Sequence, residues 1–326
     1  MTEIAAIRIA SPGGPEAMVL TTQPAPEPGP AQIRIAHAAI GVNFIDTYHR
    51  SGLYPVELPS GIGLEGAGTV EAIGDGVEGW AVGDRAAYCT GPIGSYAESQ
   101  VVAADRAVKL PEGVAFDIAA ASMLKGLTVQ YLIRQIHAVQ TGETVLFHAG
   151  AGGVGQIAVQ WLKALGATVI ATAGGEEKCA LVRSLGADHV IDYRSADIAA
   201  AVRDITNGTG VPVVFDGVGA DTFTASLDSL RPKGLLVSFG NASGPVKDVD
   251  LGILAGKGSL FVTRPTLFHY VPTRETLQAA ANDLFAVLLD GFVTVAAPSP
   301  YPLKQAAQAH RDLEERRTTG SLILQP

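Results

Sequence analysis

Cysteine is nearly absent from the chain: two residues, Cys89 and Cys179, among 326. They are too few for a disulfide framework and too far apart for a Cys-x-x-Cys site, so both read as buried apolar fillers. Positive charge is also short. Lys and Arg number 23 against 32 Asp and Glu, a net charge of −9, which argues against a nucleic-acid or anionic-membrane surface as the main partner. No run of about 18 apolar residues occurs, so no membrane-spanning helix is expected. The opening MTEIAAIRIASPGGPE has no basic stretch ahead of an apolar one, and the expected location is the cytoplasm. The seven histidines show no H-x-x-x-H or comparable ligand spacing, and each reads as a surface or satisfied core residue.

What the chain does have is glycine, 38 residues of it, and one cluster has meaning. Thr144 to Gly155 reads TVLFHAGAGGVG: a short apolar run, a glycine turn, then a helical pattern. Gly150, Gly152 and Gly155 fit G-x-G-x-x-G. The first turn of a helix leaves backbone N–H groups unpaired at the positive end of its dipole, and glycines let that backbone approach a diphosphate closely. Three glycines in six residues are a weak signal alone, and a tight turn is the plain alternative. The context strengthens it. Val154, Ile157, Ala158, Trp161, Leu162 and Leu165 make one apolar helix face, Gly166 stops it, and ATVIATA follows as a buried strand. A P-loop fails because Gln156 and Ile157 stand where Lys and Ser/Thr are required. The unit predicts dinucleotide binding.

A length of 326 residues suggests about two domains. Residues 1 to about 115 carry short apolar or alternating runs at 5–9, 33–38, 68–73, 84–88 and 98–102, split by Pro/Gly punctuation, which suggests a small barrel-like β domain. Within it, NFIDTYHR at 43–50 reads as a polar-aromatic insert of the kind where loops contact ligands. From Phe116 a helical stripe leads into the glycine unit. Strands at 190–191, 213–216, 235–240 and 259–263 then alternate with helices at 197–207 and 221–230. Six such strands predict a doubly wound parallel sheet, making the fold class α/β. Helices at 275–289 and 303–313 and a strand at 321–324 close the chain.

With these residues quoted, the chain resembles the medium-chain dehydrogenase/reductases, most closely the zinc-free NADPH:quinone reductases that include the zeta-crystallins. The likeness runs end to end through NFIDTYHRSGLYP at 43–55, GLEGAGTV at 63–70, GDR at 83–85, AAASMLKGLTVQYLI at 119–133, HAGAGGVGQIAVQWLKALGA at 148–167, SFGNASG at 238–244 and SLFVTRPTL at 259–267. It implies a GroES-like β-rich catalytic domain over 1–125, completed by 266–326, and a Rossmann domain over 126–265. Zinc-dependent relatives place Cys where this chain has Asn43 and His where it has Leu64, and a chain with two cysteines cannot build their four-cysteine lobe. No catalytic metal is expected. Without a Lewis acid, a quinone or an activated alkene is the easier acceptor, since delocalisation spreads the charge that hydride addition creates.

The resemblance places Asn43 and Tyr48 near the nicotinamide as candidates for the polar contact to the acceptor, with Tyr54 and Arg264 at the rim. Tyr48 could equally be an aromatic wall. Thr128 and Tyr131 would lie by the nicotinamide and Gly153 and Val154 at the diphosphate, with Phe239, Gly240 and Asn241 after the fifth strand. For the second ribose, no acid stands at Ala173 or Gly174 where an NAD site carries one. Gly174, Lys178 and Tyr193 match the residues that the quinone reductases use around a 2′-phosphate, so the expected cofactor is NADPH. Glu176 and Glu177 count against this, and a solvated helix start is the plain alternative. Two rival functions stay open, reduction of α,β-unsaturated carbonyls on the same scaffold and a non-enzymatic NADPH-binding role. The resemblance also implies a homodimer through the last Rossmann strand, 259–263.

Overall fold

The computed structural model describes residues 2–326. They fall into two compact units. One comprises the described residues up to 127 with Val271–Leu289 and Val295–Pro326; the other comprises Thr128–Tyr270 and Asp290–Thr294.

The first unit is built on β-strands. Gln32–Val42 is its central strand, pairing antiparallel with Glu65–Ile73, Ser99–Ala103 and Leu322–Gln325. Arg85–Tyr88 and Ala107–Lys109 extend the sheet on one side and Ser299–Pro302 on the other. Ile33 and Ile35 are fully buried with Val70, Ala86, Tyr88 and Val102. Burying a side chain of that size contributes about 1.5–3 kcal/mol. The other face of the strand's far end, Ile40 and Val42, packs with Ile7, Ile9, Ile62, Leu322 and Leu324. The C-terminal strand therefore shares a core with the N-terminal one. Val19–Pro24, Glu3–Ile9 and Ser60–Gly61 form a smaller sheet.

One expectation is corrected here. NFIDTYHR is not a loop insert, because Phe44–Ser51 is an α-helix. Asn43 caps it, and Asp46, three residues on, reaches back with Oδ2 to accept from Asn43 N at 2.8 Å. Gly52, at φ 80°, ends it in the left-handed region open to glycine.

The second unit is a six-stranded parallel sheet in the order His189–Asp192, Thr168–Ala173, Thr144–Phe147, Val211–Asp216, Leu230–Ser238, Phe261–Thr263. Counted along the chain this is 3-2-1-4-5-6, the doubly wound Rossmann order. Leu146, Ile170, Val214 and Leu236 form its interior, with Val202 and Leu227 from the covering helices. The chain enters this unit through the helix Phe116–Gln130, which continues as a π-helical turn, Tyr131–Ile136. The sequence stripe showed only one continuous helix. Wider turns of this kind are rare and recur at functional sites.

Candidate active site

In the first unit, Asn43, Tyr48 and Tyr54 come together at the helix Phe44–Ser51. Asn43 is 5 % exposed and its Nδ2 donates to Glu65 Oε2 at 2.7 Å. Tyr48 is buried and meets Tyr54 edge-on, ring centroids 5.1 Å apart. Phe44 also packs against Tyr48, ring centroids 5.8 Å apart. Tyr54 is half-buried. An aromatic wall and a phenol are thus presented by one pair of rings.

Glu65, fully buried, is the residue on which this corner closes. Its Oε1 accepts from Leu124 N at 2.7 Å, and Lys125 Nζ stands 3.8 Å from Oε2. Burial pushes its carboxyl up, against the pull of the Lys125 ammonium and the Asn43 amide. Asp46 is also fully buried, and desolvation raises it to about 7, opposed by the hydrogen bonds from Asn43 N and Tyr96. Behind it, Tyr96 donates to Asp46 Oδ2 at 2.9 Å and its oxygen faces His310 Nε2 at 2.9 Å. Arg50 donates to His310 Nδ1 at 3.0 Å, which fixes Nε2 as the protonated nitrogen. Burial first, then the Arg50 charge, pushes His310 down to about 3.

In the second unit, Gly150 and Gly152 lie in the turn between Thr144–Phe147 and the helix Gly153–Ala164, whose first turn holds Gly153, Val154 and Gly155. Gly152 caps that helix with no side-chain hydrogen bond, leaving its first N–H groups for a ligand. A Cβ on Gly155 would collide with the Ala149 carbonyl oxygen and the Gly150 backbone, and one on Gly150 would press on Ala171 and Val182. Gly155 is required by this close packing, while a side chain at Gly150 would need its neighbours to give way. Beneath the turn lies a buried polar chain. Ser226 and Thr222 both donate to Asp216 Oδ2 at 2.7 Å, and His148 bridges Ser226 and Thr172 at 3.0 and 3.1 Å. Thr172 Oγ1 accepts from Ala149 N.

These elements match two family models. "Alcohol dehydrogenase GroES-like domain" matches residues 29–112 and "Zinc-binding dehydrogenase" residues 153–284. A quinone oxidoreductase of Pseudomonas aeruginosa is 53 % identical over 98 % of this chain and 99 % of its own. Quinone oxidoreductase 1 of Escherichia coli is 49 % identical over 96 % and 97 %. The crystal structure of Escherichia coli quinone oxidoreductase complexed with NADPH aligns at a TM-score of 0.98 with 47 % identity, covering 99 % of this chain and all of that one. The chain belongs to the medium-chain dehydrogenase/reductases, in their zeta-crystallin-like branch.

The other expected residues of this family sit in the second unit. Gly174 follows the second Rossmann strand, Thr168–Ala173, and a Cβ there would run into the Tyr193 hydroxyl, so the phenol lies directly over the glycine. Tyr193 keeps 41 % of its surface and Lys178 is half-buried one helical turn on. Glu176 is drawn away to Arg183 at 2.8 Å. Phe239, Gly240 and Asn241 follow Leu230–Ser238, and Gly240 is pressed so closely on the Gly217 carbonyl oxygen that no Cβ fits. Thr128 is half-buried and Tyr131 buried; Tyr131 stacks on Tyr270, centroids 4.7 Å apart and rings 12° from parallel. Arg264 is exposed, and its NH1 donates to Ser238 O at 2.8 Å.

Sequence reasoning missed Lys125, Asp46 and Tyr270 as members of these clusters, and Glu65 stood only within the stretch GLEGAGTV. The N-x-x-D capping pattern at 43–46 could have flagged Asp46. For Lys125, a lysine within the otherwise small and apolar AAASMLKGL was the available signal. Among the described residues, no group of three or more His, Cys, Asp or Glu is placed to hold a metal. Leu64 is buried and carries no donor atom, and Asn43 spends its amide nitrogen on Glu65. The Lys125 ammonium already puts a positive charge beside that carboxylate. These residues do not make a zinc site.

Proposed function

We propose that the chain is an NADPH-dependent quinone oxidoreductase working without zinc. The observation that carries this is the second-ribose corner. Tyr193 lies over Gly174, Lys178 stands on the following helix, and the strand end carries no acid for a ribose hydroxyl. A lysine there favours a 2′-phosphate by direct attraction and a phenol can donate to it. The glycine turn fits the diphosphate, whose oxygens would take the N–H groups of Gly153 and Val154. NADPH, when bound, supplies a hydride from nicotinamide C4.

The protein's own part is positioning and charge. Thr128 and Tyr131 hold the nicotinamide face, and the Tyr131–Tyr270 stack stiffens the π-helical turn that carries Tyr131. Asn43 and Tyr48 give polar contacts to the acceptor, with Tyr54 and Arg264 at its rim. Holding the reactants in a reactive geometry can lower the barrier by about 7–11 kcal/mol.

A homodimer is part of this reading. Phe261–Thr263 is the last strand of its sheet, and Phe261 and Val262 keep 62 % and 40 % of their surface. An apolar edge strand of this kind is a template for pairing with its own copy. A cytoplasmic location agrees with two free cysteines, and no helix among the described residues is long and apolar enough to cross a membrane.

The test is oxidation of NADPH and NADH by metal-stripped protein with benzoquinone, phenanthrenequinone and an aliphatic enone as acceptors. Fast quinone turnover with NADPH preferred is expected. Turnover with the enone alone would move the function to alkene reduction. NADPH binding without turnover on any acceptor would make the role non-enzymatic.

A further inference from the structure

The first unit holds a buried charge cluster whose hydrogen bonding is incomplete. Lys125 keeps 7 % of its surface. Its Nζ reaches the Val42 carbonyl oxygen at 3.3 Å, and Glu65 Oε2 lies 3.8 Å away, an ion-pair separation too long for a hydrogen bond. An ammonium carries three donors, and burying it with one long hydrogen bond is costly. Glu65 gives its own oxygens to Leu124 N and Asn43 Nδ2. Asp46, whose charge is within electrostatic reach of both, has an Oδ1 with no hydrogen-bond partner among the described residues.

An ion pair kept for stability closes its hydrogen bonds. Arg50 does so a few residues away, donating to both oxygens of Glu314 at 3.0 and 2.7 Å. The Lys125 cluster does not, and it sits against Asn43, the polar side chain assigned to the acceptor. Burial lowers the Lys125 ammonium below its ordinary value, with Glu65 and then Asp46 pulling the other way, so the group holds its proton less tightly than a free lysine and keeps donors to give. A donor-rich cation in a nearly dry corner does for a developing oxyanion what a metal ion would do, without a metal.

We propose that the Lys125 ammonium meets the acceptor's carbonyl oxygen, stabilises the charge that hydride addition builds there, and gives that oxygen its proton. The proposal rests on the quinone-reductase reading. The quinone gains two electrons and one proton as hydride from NADPH, forming the hydroquinone anion. Its oxygen takes a second proton from Nζ, giving the neutral hydroquinone, and the Lys125 amine regains a proton from water. Glu65 and Asp46 are positioning residues that hold the ammonium.

The test uses the full chain with NADPH and benzoquinone. Lys125→Met keeps the length of the side chain and removes its charge. The expected result is a kcat lower by roughly 100-fold, with the dissociation constant for NADPH, read by nucleotide fluorescence, unchanged. If that variant does not fold, Lys125→Gln, neutral but still able to donate to a carbonyl oxygen, takes its place, and the same loss is expected. Wild-type kcat in whichever variant folds would overturn the proposal, and so would a loss that appears only as weaker NADPH binding. Failure of the underlying reading looks different: the unaltered protein would turn over no quinone.

Discussion

Asn43 Nδ2 donates to Glu65 Oε2 across 2.7 Å, joining the cap of one helix to the first residue of the strand Glu65–Ile73. The same carboxylate takes Leu124 N from a second helix. Three elements of the first unit therefore meet at one buried side chain, and the orientation of Asn43 depends on it.

Removing that carboxylate should be expensive. Glu65→Ala leaves the Asn43 amide and Leu124 N without their acceptor and the Lys125 ammonium without its counter-charge, and breaking a buried pair from one side costs about 3–5 kcal/mol. Urea unfolding of the two proteins measures it. A difference under about 1 kcal/mol would show that water or a shifted side chain replaces the carboxylate.

The nucleotide corner gives a second expectation. Lys178→Ala should weaken NADPH by roughly 10- to 100-fold, the scale of a lost charge-assisted contact, and leave NADH nearly unchanged. Gly174→Ala should act in the same direction, because the new Cβ must displace the Tyr193 hydroxyl. Fluorescence titration with both nucleotides checks the pair. Equal loss for NADPH and NADH would remove Lys178 from the 2′-phosphate.

A third expectation concerns pH. His37 is buried, with Nδ1 donating to Ala97 O at 2.7 Å and Nε2 accepting from Tyr88 at 2.9 Å, and burial lowers it to about 4. In the unfolded chain it titrates near its ordinary value, about 6.5. Between these values the unfolded state binds the extra proton, so stability is full above the higher pH and is lost as pH falls towards the lower. His310 acts in the same sense, whereas Asp46, raised to about 7, favours the fold as pH falls through that region. His37→Gln should therefore show a shallower loss of urea stability between about pH 6.5 and 4 than the unaltered chain. An identical slope would show that other groups set the acid limit.

How far the sequence carried differs between the two units. The Rossmann strands were legible as short apolar runs, and the doubly wound parallel class followed from their alternation with helices, whereas their order in the sheet came only with the structure. The glycine turn was legible too, since its chemistry is backbone chemistry and glycine marks it. The corner around Glu65 was not. Lys125, Glu65 and Asp46 lie 19 to 79 residues apart in number, and only folding makes their charges neighbours. The helix Phe44–Ser51 was hidden by its mixed polar and aromatic residues, although Asn43 and Asp46 spelled its cap. The π-helical turn at Tyr131 leaves no periodic trace in six residues.

The edge strand yields the last expectation. Phe261–Thr263 pairs with Leu230–Ser238 on one side, in parallel register from Leu235 opposite Phe261 to Val237 opposite Thr263. Phe261 and Val262 remain largely exposed, and Leu251, on the segment before it, keeps 75 % of its surface. An isolated exposed apolar residue needs no explanation, but several along an unpaired edge do. Val262→Lys with Phe261→Lys places like charges on that edge without touching the sheet interior. Light scattering after size exclusion should give a dimer for the unaltered chain and a monomer for the double variant, with NADPH binding retained. A monomer in both would leave the edge strand without its proposed partner, and a dimer in both would move the interface to another surface.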